Sequence, residues 1–297
     1  MIVSALFRFY KKRKAFNMET TENTTSVEKK FRLYEFAYLG KDEVFSQRLA
    51  TLKDLAMPEE WDWQTSSSGG IAPENSILRN YIQYTFNRIK EEFDAATTEE
   101  ERQRKIATSE QHACFNTGLF TKNYAPIFMA FEKNTNVGRQ PWYLKSFFSG
   151  SVPKEFADLA LPERANYFAR PEELIYDYHL PIRVDVDHVF REENFERFPE
   201  NIRKTYSSNV LRNLFNGAVI ETERKLASNY KLAIPQYYNG NIQLLVPIDL
   251  ENKGQADLAL AMFKAKDCYS ARTCLTLEMA YNNARLIVKP ESEWLHP

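Results

Sequence analysis

Glycine is scarce in this chain, with nine in 297 residues. Phosphate loops and dinucleotide folds depend on glycine-rich turns that let the backbone approach a phosphate. Neither a Gly-x-x-x-x-Gly-Lys-Ser/Thr run nor a Gly-x-Gly-x-x-Gly run occurs, and His-Glu-x-x-His and Gly-x-Ser-x-Gly are missing too. Cysteine is scarcer still: Cys114, Cys268 and Cys274 are too few and too scattered for a disulfide framework or a zinc knuckle. That usage fits a reduced, cytoplasmic protein. No apolar run approaches the ~20 residues of a membrane span. Neither sign of charge dominates, since 39 basic residues face 40 acidic ones for a net charge of −1. Without the five basic residues before Met18 the net charge is −6, and a body of that charge is a poor general nucleic-acid binder, since such binding depends on neutralising many phosphates.

What is present is apolar and aromatic. The hydrophobic fraction is 43%, with 21 Phe and 16 Tyr, enough for a large core. The length suits one large domain or two ordinary ones, at roughly 100–200 residues each. Residues 1–30 read as a flexible N-terminal leader. Arg8, Lys11, Lys12, Arg13 and Lys14 sit in its first part without acids, and the apolar run Ile2 to Phe7 is too short, and wrongly placed, for a signal peptide. Met18 then opens a polar Thr- and Glu-rich segment, which leaves Met1 and Met18 both as candidate starts. From Met18 the net charge becomes −6 through loss of the five basic residues. Residues 31–297 are expected to form a single globular α+β domain.

Phe31 to Leu39 is aromatic-rich and strand-like. Lys41 to Met57 has helical spacing and ends at Pro58. Ser66 to Gly70 reads as a flexible loop. Asn75 or Ser76 caps a helix with a stripe of Leu78, Ile82, Phe86, Ile89 and Phe93. Short strand runs follow around Lys105–Ala107, Ala113–Phe115, Ile127–Phe131 and Trp142–Phe148, with turn residues at Asn134 to Gly138. Ile182, Val184 and Val186 alternate with Arg183, Asp185 and Asp187, the pattern of a half-buried strand. Pro199 opens the longest predicted helix, running to about Asn229, with Val210, Leu211, Leu214, Phe215, Ala218, Val219 and Leu226 on its core face. The last third predicts a four-strand antiparallel meander, with Asn239-Gly240 as the strongest hairpin signal, closed by a helix from about Leu275 to Val288. Strands and helices mix without a strict βαβ rhythm, so the expected class is α+β, a mixed or antiparallel sheet with several long helices.

Several phrases occur together: Ile77-Leu78-Arg79-Asn80-Tyr81, Cys114-Phe115-Asn116-Thr117-Gly118-Leu119, Pro162-Glu163-Arg164-Ala165-Asn166-Tyr167-Phe168, Pro235-Gln236-Tyr237-Tyr238, and Thr273 to Thr276 with Asn282 to Leu286. On these the chain resembles a mainly bacterial family catalogued as domain of unknown function 3825, over roughly Phe31 to Trp294. The resemblance implies no activity and no catalytic residue. It does imply kinship with proteins of which some are joined to small RNA-binding modules such as cold-shock domains.

Four sets of polar residues are candidates for chemistry. Asp185 and Asp187, one strand pitch apart on one expected face, suit Mg²⁺ or Mn²⁺, because hard cations take oxygen ligands; the plainer reading is a solvated strand face. Arg272 with Ser270 on the last strand, and Glu278, Asn282 and Arg285 along one line of the closing helix, suit phosphate and sugar contacts; the plainer reading is a surface polar stripe. Arg79 and Asn80 edge the first long helix. Tyr237, Tyr238, Tyr269, Trp142 and Tyr143 can stack on bases, although Tyr and Trp also simply favour sheets. Cys114 with His112 on one strand face is a weak nucleophile pair, and a buried structural cysteine is the better reading.

The leading expectation is recognition of RNA or a nucleotide at a polar cleft of the C-terminal unit, through Arg272, Asn282 and Arg285, with no membrane partner. The second is a metal-dependent phosphodiesterase or nucleotidyl-transfer enzyme using Asp185 and Asp187. The third is a protein-interaction or regulatory scaffold. A basic concave patch on an otherwise acidic body favours the first.

Overall fold

A computed structural model describes residues 31–63, 74–136 and 139–297. The expected leader at residues 1–30 and the Ser66 to Gly70 loop lie outside the described residues, as does the end of the Asn134 to Gly138 turn. The elements below all fall within the unit Arg32–Pro297.

The fold is α+β, with two five-stranded sheets among the described residues. The first contains β1 (Ala37–Tyr38), β2 (Ala107–Thr108), β3 (His112–Phe120), β4 (Pro126–Lys133) and β5 (Trp142–Ser149), in the order β1-β5-β4-β3-β2. The second contains β6 (Ile182–Val184), β7 (Ile234–Tyr238), β8 (Asn241–Ile248), β9 (Leu258–Lys264) and β10 (Tyr269–Leu275), in the order β6-β10-β9-β8-β7. The helices are α1 (Arg32–Phe36), α2 (Asp42–Leu55), α3 (Ser76–Ala95), α4 (Glu99–Gln103), α5 (Val186–Val189), α6 (Glu192–Phe195), α7 (Glu200–Thr205), α8 (Ser208–Ser228) and α9 (Leu277–Arg285).

The largest core gathers one face of each sheet around α3 and α9: Phe115 and Phe131 from the first sheet, Leu245 and Ala259 from the second, Phe86 and Ala284 from the helices. The other face of the second sheet packs on α8, where Leu211, Phe215 and Leu226 meet Leu244, Leu260 and Met262. β8 and β9 thus bury both faces, as expected of central strands that lack a clean polar alternation. A small third core lies on the outer face of the first sheet, around Cys114, Phe128, Phe148 and Phe156.

The C-terminal meander forms as expected. Asn239 and Gly240 have φ of 48° and 81°, the left-handed pair that a tight hairpin turn requires, and register runs from Tyr238↔Asn241 to Ile234↔Leu245.

Three elements differ from the sequence reading. Phe31 to Leu39 is mostly the short helix α1, because Leu33 and Ala37 are buried four residues apart while Arg32 is tied to α3 by Asp94 and by the Asn87 side chain. The Ile182–Asp187 alternation is a strand only to Val184; Asp185 accepts the His188 amide at 3.0 Å and caps α5, so the local cap wins over the ladder. The long helix after Pro199 is two, because Tyr206 and Ser207 take extended backbone and the Tyr206 hydroxyl reaches Glu251 at 2.8 Å. Its core stripe is Leu211, Phe215, Ala218, Thr222 and Leu226, and Val210, expected inside, is 43% exposed.

Candidate functional site

The residues expected to bind phosphate are held by acids of the protein itself. Arg285 is buried: its Nη2 donates to Glu59 Oε2 at 2.9 Å, its Nε donates to Glu59 Oε1, and its guanidinium lies over the Trp61 and Tyr81 rings at 5.0 and 4.6 Å. The Tyr281 hydroxyl completes the knot on Glu59 at 3.3 Å. The expected Glu278–Asn282–Arg285 surface stripe is corrected accordingly: α9 is walled on two sides, and Tyr281 and Arg285 are buried one turn apart. Asn282 donates to the Glu278 carbonyl of its own helix at 3.0 Å. Arg272 is exposed and meets Asp185 at 3.5 Å, beside a register shift between Ala271 and Thr273 that breaks the regular strand assumed for it. Arg272 and Arg285 are therefore engaged by carboxylates from different segments and do not form a joint phosphate clamp.

Arg79 donates to Asp42 and Ser46 at 2.8 and 2.9 Å and covers the Phe45 ring, while Asn80 next to it is half-buried. Asp187 pairs with Arg212 at 2.8 Å. With Asp185 in a helix cap, the two aspartates do not share a strand face, and among the described residues no group of three or more His, Cys, Asp or Glu side chains is placed to hold a metal. Cys114 is fully buried, and burial, together with the nearby Asp158 charge, pushes its thiol up to about 12; His112 is turned to Asp158, with Nδ1 at 2.9 Å. That environment suits an inert core thiol.

The C-terminal unit does border a cleft. A cavity of about 1000 Å³ opens between the Asn166–Glu173 segment and the ends of β8, β9 and β10. Arg88, Arg170, Lys264 and Lys266 line it, against Glu172 and Glu173. Arg88 is anchored by donation from Nε to the Asn166 carbonyl at 2.7 Å and by Glu92 at 3.1 Å. Arg170 meets Glu173 at 3.0 Å and Lys264 meets Asp177 at 3.4 Å. Lys266 is exposed and has no ion pair among the described residues. Phe263, 42% exposed, adds an aromatic face. Tyr237 backs the rim: it is buried against Tyr167 at 5.0 Å between ring centroids, with Arg88 over its ring, and Tyr238 next to it is exposed. A second cavity, about 1120 Å³ beside the C-terminal segment, has Lys231 and Lys289 against Glu291 and Glu293, with no cationic excess.

One face of the second sheet carries a polar row of which Gln243 lines this cleft. Gln236 pairs with Gln243 across the hairpin. Gln243 and Phe263 each lie one step past the Leu244↔Met262 pair, so both point to the face opposite those core residues. Phe263 in turn pairs with Ser270. Asn283 of α9 donates to Gln236 Oε1 at 3.0 Å, and Gln236 Nε2 donates to Gln243 Oε1 at 2.8 Å. Gln236 is only 1% exposed, so both ends of its amide are satisfied inside the protein.

Gln236, Gln243, Phe263 and Lys266 were not among the residues singled out from sequence. The first two were within reach: a two-residue turn at Asn239-Gly240 pairs residue 236 with residue 243 by counting outward. The exposure of Phe263 had no sequence signal, because its strand reads apolar throughout. Among the described residues no helix is long and apolar enough to cross a membrane. The chain belongs to the family defined by a domain of unknown function, DUF3825, whose model matches residues 52–294. No curated protein and no solved structure matches it.

Proposed function

We propose that this domain recognises RNA or a nucleotide in the cleft between Asn166–Glu173 and the ends of β8–β10. The observation that carries the reading is the charge of that cleft: four basic residues against two acids, on a chain of net charge −1. An anionic ligand is drawn to such a local excess, because a concave, partly desolvated site focuses its field. Phe263 supplies a face on which a base stacks, and Lys264, Lys266 and Arg170 stand where a phosphate follows. The cationic role moves from Arg272 and Arg285 to these cleft residues, of which Arg88, Arg170 and Lys264 also meet acids and Lys266 has no ion pair among the described residues. The three buried, unpaired cysteines accord with action in a reducing cytoplasm.

The test is a titration of labelled single-stranded oligoribonucleotides and mononucleotides at low and moderate salt, with wild type, Phe263→Ala and Lys266→Glu. Wild type binds at low salt and weakens as salt rises. Phe263→Ala costs about 1–3 kcal/mol of binding, the range for one base–aromatic stack. Both side chains are exposed, so both variants keep the wild-type melting temperature. No binding at low salt, or variants that bind as wild type does, would leave the cleft without this role.

A further inference from the structure

We propose that the amide chain Asn283–Gln236–Gln243 makes the cleft selective for bases that present an exocyclic oxo group over those that present an amino group. This rests on the nucleotide reading of the cleft and adds a chemical preference to it. A free glutamine at a cleft wall shows either end of its amide and discriminates weakly, since its oxygen and nitrogen exchange by rotation. Gln243 is not free in this sense. Its Oε1 accepts from Gln236 Nε2 at 2.8 Å, and Gln236 does not turn over alone, because its own Oε1 accepts from Asn283 at 3.0 Å inside the protein. Reversing one amide would set donor against donor or acceptor against acceptor at a buried position, which costs the full desolvation of an unmade hydrogen bond. With the three amides oriented as they stand in the structure, Gln243 Nε2, without a partner among the described residues, presents its donors from the side chain that lines the cleft.

Phe263 lies beside Gln243 on the same face of the sheet. A base stacked on Phe263 presents its edge to those donors. An oxo oxygen accepts from them. An exocyclic amino group, itself a donor, is left unpaired against them, and a site built to hydrogen-bond one group rejects the analogue that lacks it. Asn283 and Gln236 act in this through Gln243 and are positioning residues.

The experiment compares oligouridine with oligocytidine, and oligoinosine with oligoadenosine, of equal length, on the full chain. Wild type is expected to prefer the oxo member of each pair by roughly tenfold, the worth of about one hydrogen bond. Gln243→Ala removes the preference. Asn283→Ala, at a half-buried position on α9, narrows it while total binding stays within a few-fold, an effect that mere scaffolding would not produce. Gln236→Leu does the same if it folds, and Asn283→Ala carries the test if it does not. Equal binding of both members of each pair overturns the proposal and leaves the cleft's nucleotide role standing. Preference for the amino members overturns it too, since the amides would then run the other way. Binding of none of the four removes the nucleotide reading, and this proposal with it.

Discussion

Replacing Arg285 with alanine separates two incompatible roles for that residue. As a phosphate ligand at a surface, its loss would weaken ligand binding and leave stability alone. The structure places it instead in a knot with Glu59, Trp61, Tyr81 and Tyr281, with side-chain exposures of 10% for Arg285 and 7% for Glu59. Truncation strands the Glu59 carboxylate there, with the Tyr281 hydroxyl as its remaining partner. Breaking a buried pair from one side costs about 3–5 kcal/mol, most of it from the charge left behind. The two lost cation–π contacts belong to the same truncation, at about 0.5–2 kcal/mol each, and are not simply additive with it. At roughly 2–4 °C per kcal/mol for a protein of this order of size, the melting temperature should fall by about 6–20 °C. The assay is thermal and urea unfolding of Arg285→Ala, together with a double-mutant cycle of Arg285→Met, Glu59→Leu and the Glu59→Leu, Arg285→Met pair. The double variant should be more stable than Arg285→Ala, because well-packed apolar groups can replace a buried ion pair at little cost. A loss below about 1 kcal/mol in Arg285→Ala, or additive losses through the cycle, would refute the buried-knot reasoning.

Two further outcomes follow from local geometry. Gly118→Ala should lose about 2–3 kcal/mol in urea unfolding, because Gly118 has φ of 75° and an added Cβ would lie 2.6 Å from the Tyr81 hydroxyl. Gly240→Ala, with φ of 81° but open space around it, should lose only about 1–2 kcal/mol, and equal losses in the two would mean that Tyr81 is not packed there. Asp257 is half-buried; burial, with Asp249 and Glu251 nearby, raises its carboxyl above the ordinary value despite the Leu250 amide that it accepts. A raised acid weakens the fold while ionised, and that loss is recovered as pH falls through the folded value towards the ordinary one. Asp257→Asn should therefore melt higher than wild type at neutral pH, with the gap closing over that acidic window, and a gap that widens on acidification would contradict the assigned direction.

How far the sequence could be read depended on the range of the forces involved. The meander was legible because its determinants are local: Asn239-Gly240 demands positive φ, and alternation outward from it sets the partners of Gln236 and Tyr237. The α3 stripe was legible for the same reason, as a 3.6-residue period that one buried face imposes. Asp185 misled because alternation measures only side-chain parity, and a carboxylate that caps the next turn ends the strand without disturbing the pattern.

Arg285 misled for a different reason. The i, i+4, i+7 line through Glu278, Asn282 and Arg285 gives their relative direction on α9 but not what stands opposite. Exposure of that side depended on Glu59, 226 residues away, and on aromatic residues from α3 and from the segment after α2. A polar stripe on a helix reads as surface only when one face is packed, and α9 lies between β7 and α3 within a shared core. The same sandwiching gave Asn283 its partner, Gln236, at the edge strand of the second sheet. In this fold, then, the arginine that looks functional on the closing helix, Arg285, is spent on holding it in place. On the proposed reading, the side chains that meet a ligand are Gln243 and Phe263 at the strand ends and Lys266 just past β9, all of which line the cleft.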